Sequence, residues 1–251
     1  MVGRAFRQEI DCDAEKGEET LIKCSTPFFT LTYMERPPLF SQFELHKQLL
    51  GAIQDLGYEQ PTAVQEEVIP LALEQHDLRI TAETGSGKTA AFLLPTLQRL
   101  LSHRFRGTGA RALVLLPTRE LASQVYSHCR ALSRHSSLKQ VLITGAENFG
   151  TQIKLLEQQP EVIIATPGRL LKLLAQGSAD LSQLEVLVLD EADRMLDMGF
   201  SDDVMAIIAQ CSATRQSIML SATLGHKGLG GLAAALLTEP QEVTLSSVQQ
   251  K

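Results

Sequence analysis

Ala82-Glu83-Thr84-Gly85-Ser86-Gly87-Lys88-Thr89 sets two glycines, a lysine and a hydroxyl between an apolar run and an amphipathic stretch. Glycines at 85 and 87 let the backbone curl until several N–H groups converge on one anion. The helix expected to follow adds its positive dipole end. Lys88 is then placed to reach the outer phosphates of a nucleotide, and the Thr89 hydroxyl to hold Mg²⁺. Ala82 stands where the pattern G-x-x-x-x-G-K-T has its first glycine. The plain alternative is a glycine-rich turn that only caps a core helix. Gly-Lys-Thr between a strand and a helix argues against it.

The second group is Asp190-Glu191-Ala192-Asp193, which ends the apolar run Val186–Leu189. A carboxylate at a strand end beside such a loop can hold Mg²⁺ through water, and that task falls to Asp190. Glu191 is placed to orient or deprotonate an attacking water. Lys88, Asp190 and Glu191 are therefore the catalytic candidates. An acidic helix start is the competing reading, since Asp and Glu are favoured there. The phosphate loop about 100 residues upstream weighs against it.

The elements that must position these groups show in the apolar pattern. Short runs recur at Leu78–Ala82, Ala112–Leu116, Val141–Thr144, Val162–Thr166, Val186–Leu189, Ile218–Leu220 and Val243–Leu245. Several are apolar on consecutive residues, as strands covered on both faces are. Amphipathic stretches such as Lys88–Leu101, Glu120–Leu132, Gly168–Ala175 and Lys227–Leu237 alternate with them. The pattern predicts an α/β fold with a mostly parallel sheet and helices on both faces. Ligands of such sheets bind beyond the strands' carboxyl ends, where both groups lie.

Residues 1–38 show no sustained periodicity and close on Arg36-Pro37-Pro38, so a poorly ordered extension is expected there, with Met34 an alternative start. The domain is expected over 39–246, and 247–251 as the start of a linker. With 44% hydrophobic and 21% charged residues the chain has the composition of a globular protein. A net charge of -6 excludes a protein coated in basic charge, so any nucleic-acid binding must be local. Cys12, Cys24, Cys129 and Cys211 are scattered without a C-x-x-C pair, which fits reduced thiols. No apolar run approaches the roughly 20 residues that span a bilayer. No membrane association is expected, and a cytoplasmic location is.

Together the phosphate loop and the acidic tetrad resemble the DEAD-box family of ATP-dependent RNA helicases. Other motifs of the family's first RecA-like domain follow in order. Gly57-Tyr58-Glu59-Gln60-Pro61-Thr62-Ala63-Val64-Gln65 is similar to the Q motif, with Phe40 as the upstream aromatic 17 positions before Gly57. Pro117-Thr118-Arg119-Glu120-Leu121-Ala122 resembles motif Ia, Thr166-Pro167-Gly168-Arg169 motif Ib, and Ser221-Ala222-Thr223 motif III. The wording at Phe40–Phe43 and Met195–Phe200 is similar to bacterial members.

The resemblance implies a RecA-like P-loop domain that binds ATP and Mg²⁺. Gln65 would read adenine through a bidentate amide contact. Phe40 and Tyr58 would stack on the base, unless Phe40 packs under a helix over Leu45–Leu56. Thr89 and Asp190 would serve the metal. Asp193, Ser221 and Thr223 would couple hydrolysis to RNA binding, or act as simple caps at the strand end. Pro117, Thr118, Arg119, Gly145, Thr166, Gly168 and Arg169 would contact RNA backbone, the surface salt bridge being the alternative for the two arginines. The family's Gly-Gly turn reads Gly145-Ala146, and Glu83 stands where many members have Gln.

A second RecA-like domain with an arginine-rich motif is expected as partner, because nothing after Thr223 resembles it. The 251 residues by themselves are thus expected to hydrolyse ATP poorly. A stand-alone ATP- or RNA-binding module and another P-loop NTPase are the other readings.

Overall fold

The computed structural model describes residues 39–102, 109–223 and 225–245. The expected extension at 1–38 and linker at 247–251 lie outside the described residues. Seven strands form one parallel sheet: β1 (Leu78–Thr81), β2 (Ala112–Leu115), β3 (Gln140–Ile143), β4 (Val162–Ala165), β5 (Val186–Leu189), β6 (Gln216–Ser221) and β7 (Gln241–Thr244). Their order is β3-β4-β2-β5-β6-β1-β7, and every pairing is parallel.

The pleat sorts alternate residues into two cores. Ala112, Val114, Val162, Ile164, Val186, Val188, Ile218 and Ile80 face one side. Leu113, Leu115, Ile163, Leu187, Leu189 and Met219 face the other. This explains why β2, β4 and β5 are apolar on consecutive residues: they are buried throughout. The first core is covered by α1 (Lys47–Asp55), α2 (Ala63–Leu73), α3 (Lys88–Ser102) and α4 (Arg119–Leu132). The second is covered by α5 (Phe149–Leu156), α6 (Pro167–Ala175), α7 (Ala192–Asp197), α8 (Ser201–Ile208) and α9 (Leu229–Leu236). The fold is the α/β arrangement expected, with helices on both faces.

Phe40–Phe43 form one 3-10 turn before α1. The strand runs end about one residue early at β1 to β4, where the chain leaves the sheet to form loops. β6 is longer than its apolar run because its polar start is satisfied. Gln216 donates to the carbonyls of Ala72 and His76, and the Ser217 N–H donates to Asp77. Cys129 and Cys211 are free thiols, pushed by burial up to about 12 and about 11. No helix among the described residues is long and apolar enough to cross a membrane.

Candidate active site

Along the sheet's carboxyl edge the chemistry-bearing loops divide into two groups. The loops after β3, β4 and β2 carry Gly145, Thr166–Arg169 and Pro117–Arg119. Those after β5, β6 and β1 carry Asp190–Asp193, Ser221–Thr223 and Ala82–Thr89. Strand order therefore places the candidate RNA contacts on one half of the edge and the nucleotide candidates on the other. An open cleft of about 1200 Å³ runs along it, bounded by Tyr58, Gln65, Lys88, Arg119, Asp190 and Glu191 among others.

The phosphate loop leads directly into α3, which begins at Lys88. Gly87 takes φ of 97°. A Cβ there would stand 2.7 Å from both Gln65 Nε2 and Thr62 Oγ1, so only glycine fits. Gln65 is buried and ties the Q segment to this loop. Its Nε2 donates to the Gly87 carbonyl at 3.1 Å, and its Oε1 accepts from the Thr62 N–H at 3.0 Å. A primary amide has a second N–H and a second lone pair, so a bidentate contact to adenine remains chemically available. Lys88 is buried and donates to the Ala82 carbonyl at 2.6 Å. Ser86 Oγ donates to the Glu83 carbonyl. Thr84, Gly85, Gly87, Lys88 and Thr89 line the cleft. Ala82 is buried behind it, Glu83 points to solvent, and Phe40 is buried with its ring stacked on Tyr58.

Asp190 emerges from β5 with 7% of its surface exposed. Burial pushes its carboxyl up to about 6, while Lys88 pulls it down and Glu191 and Asp193 push it further up. The hydroxyl of Thr89 and this carboxylate are hard oxygen donors that both line the cleft, and no group of three His, Cys, Asp or Glu among the described residues could cage a metal. That set fits Mg²⁺, which keeps several waters and takes substrate phosphate oxygens.

The raised value also carries a stability consequence. Between the unfolded carboxyl's pKa and about 6, the folded chain holds a proton that the unfolded chain has released. The ligand-free fold thus loses stability as pH rises across that window, by on the order of 2–3 kcal/mol once both states are ionised. Asp190→Asn is expected to remove this contribution. Urea midpoints of variant and wild type should coincide near pH 4 and separate by pH 7, the variant being the more stable. Parallel curves at both pH values would contradict the assignment.

Glu191 has φ of 54°, a left-handed conformation uncommon for a residue with a side chain. Its carboxylate pairs with Arg194 at 3.2 Å. Asp193 faces the end of β6. Its Oδ2 accepts from the N–H groups of Ala222 and Thr223 and from Thr223 Oγ1, at 3.1, 3.1 and 3.0 Å. Burial pushes this carboxyl up, but the hydrogen bonds from Thr223 and the Arg194 and Ala222 amides outweigh it and hold it below the usual value. Ser221 Oγ in turn donates to the Thr223 carbonyl. The tetrad and the Ser-Ala-Thr turn are one hydrogen-bonded unit.

On the other half, Thr118 caps α4 by accepting from the Leu121 N–H. Arg119 is exposed at the first position of α4 and reaches the cleft. Thr166 stands at the start of α6 with no capping bond to its side chain. Arg169 is engaged within the protein. It donates to the carbonyls of Gly145 and Glu147 and to Gln152 Oε1, with its guanidinium 5.2 Å from the Phe149 ring. Gln152, fully buried, also donates to the Thr144 carbonyl. Arg169 and Gln152 therefore shape the turn at Gly145. Sequence reasoning missed Gln152, Arg194 and His128. Only His128 had an available signal, the polar stripe Glu120, Gln124, His128 at helical spacing on α4.

The DEAD/DEAH box helicase family model matches residues 62–229. The probable ATP-dependent RNA helicase ddx27 of Dictyostelium discoideum is 45% identical over 217 residues, covering 86% of this chain and 28% of that protein. The ATP-dependent RNA helicase SrmB of Escherichia coli (strain K12) is 43% identical over 206 residues, covering 82% of this chain and 46% of that protein. A solved DEAD box protein from the hyperthermophile Methanococcus jannaschii superimposes with a TM-score of 0.77 at 34% identity, covering 83% of this chain and 56% of the other. The chain thus spans less than half the length of these two curated relatives. Matched over more than half of its own length by the family model, and carrying the family's motifs along one sheet edge, the chain belongs to the DEAD/DEAH box helicase family.

Proposed function

We propose that these residues form the ATP-binding half of an ATP-dependent RNA helicase. ATP hydrolysis in the cleft is coupled to RNA held on the neighbouring loops once a second RecA-like domain docks. The observation that carries the reading is the direct link from Asp193 to Thr223, between the strand that bears Asp190 and the Ser-Ala-Thr turn. Lys88 and the loop N–H groups hold the phosphates, Gln65 reads the base, and Tyr58 forms the wall on which the base stacks. Phe40 supports Tyr58 from behind. Thr89 and Asp190 hold Mg²⁺, which neutralises phosphate charge when bound. Glu191 receives a proton from, or orients, the attacking water.

RNA contacts come from Pro117, Thr118, Arg119, Gly145, Thr166, Gly168 and Arg169, whose guanidinium keeps donors for phosphate beside the three bonds that fix the turn at Gly145. This is a small footprint on a chain of net charge -6. Few neutralised phosphates imply weak RNA affinity with a shallow salt dependence. A cytoplasmic location accords with this function.

Base selection tests the reading. Gln65→Ala is expected to weaken ATP and ADP binding by roughly 1–3 kcal/mol, the scale of one bidentate base contact. GTP binding, already weaker, should change little in calorimetric titration. Equal losses for both nucleotides would mean that Gln65 acts only through the Gly87 and Thr62 bonds that hold the loop.

A further inference from the structure

The helix-ending turn of α1 aims Tyr58. Gly57 takes φ of 70°, and the Tyr58 N–H donates back to the Ile53 carbonyl at 3.1 Å. One side of the Tyr58 ring is stacked on Phe40, with centroids 6.2 Å apart and planes 29° from parallel. At its far end the hydroxyl meets Nε2 of His128 on α4 at 2.8 Å, and the two rings stand edge to face at 6.5 Å. Tyr58 and His128 both line the cleft, and both are half-buried. α1 is latched to the turn that follows α4. Gln48 donates to the His135 carbonyl at 2.6 Å, and Asp55 pairs with Arg134 and His135 at 3.2 and 2.8 Å. The His128 ring therefore stands on a fixed support.

A tyrosine ring at the mouth of an open cleft can rotate about two side-chain bonds, and an incoming base would have to order it. The stack on Phe40 fixes the plane but leaves the far end free. The bond to His128 fixes that end. Burial also raises the Tyr58 phenol's pKa, so the hydroxyl keeps its proton and stays a hydrogen-bonding partner for the imidazole.

We propose that His128 is a positioning residue for nucleotide binding: through its hydrogen bond it preorganises Tyr58 as the wall against which the base stacks. This rests on the nucleotide reading of the cleft. It follows that His128 contributes to affinity at the base end of the ligand and not at the phosphate end. Preorganisation raises affinity by removing an ordering cost from binding.

The test is calorimetric titration of the 251-residue chain and its variants with Mg-ATP and, separately, with inorganic tripolyphosphate. His128→Ala is expected to weaken ATP binding by about 3- to 10-fold, the scale of one hydrogen bond. Tripolyphosphate binding should be unchanged and the urea midpoint close to wild type. Tyr58→Phe, which lacks only the hydroxyl, should show the same loss. The double variant should lose no more than either single one, since both remove one interaction. His128→Gln, whose amide can both donate and accept, should recover most of the affinity. Additive losses, an equal loss for tripolyphosphate, or unchanged ATP binding in His128→Ala would each overturn the positioning role. Failure of the unaltered chain to bind ATP more tightly than tripolyphosphate would instead overturn the nucleotide reading itself.

Discussion

Glu191→Gln, assayed with a matched second domain and RNA, is expected to bind ATP as the unaltered chain does and to hydrolyse it 10² to 10⁴ times more slowly, on the order of a lost general base. The substitution keeps size and shape, and the new amide oxygen can still accept from Arg194, now 3.2 Å from the carboxylate. The left-handed backbone at Glu191 is unaltered because the side chain differs only beyond Cγ. What disappears is the ability to take a proton from water. Glu191 makes no contribution to holding phosphate in this assignment, so affinity and turnover separate. Loss of ATP binding in the variant would make the carboxylate structural or a direct metal ligand.

Lys88→Ala is expected to act on both quantities. The ammonium is buried and donates to the Ala82 carbonyl at 2.6 Å, tying the first residue of the loop to the start of α3. Two donors of the ammonium remain for phosphate oxygens. Alanine removes the internal tie and the cation together. ATP affinity should fall by about 10- to 100-fold, the scale of a hydrogen bond to a charged group, and RNA-stimulated hydrolysis should become undetectable. Titration and a turnover assay on the same preparation check it. Unchanged affinity with reduced turnover would mean that the ammonium meets phosphate only in the transition state.

Much of this site was legible because its residues obey local rules. Gly87 must be glycine for reasons of space, and Lys88-Thr89 must open a helix. Asp190 must follow a buried strand. The link from Asp193 to Thr223 followed from the family resemblance, not from spacing, since the two residues lie 30 positions apart. The central strands showed as apolar runs because both faces are covered. α2 was harder to see: it holds Pro70 inside the helix, and its burial on several sides blurs the helical period. Strand β6 exceeded its apolar run because Gln216 and Ser217 find partners across about 140 residues of sequence, which no local pattern reports. The same holds for Arg169. Its type suggested phosphate, and its bonds to Gly145, Glu147 and Gln152 are set by tertiary placement. The pairing of Tyr58 with His128 likewise depends on how α1 docks on α4.

These residues are expected to bind nucleotide yet to depend on a second RecA-like domain to turn it over. RNA-stimulated ATPase measured on the 251-residue chain, with and without that domain supplied in trans, tests it most directly. The chain alone should be nearly silent. With the second domain present, ATPase rate and RNA affinity should rise together, the rate by about 10³ to 10⁵, the scale of an arginine finger. Vigorous RNA-stimulated hydrolysis by the chain alone, in protein free of host helicase, would contradict it.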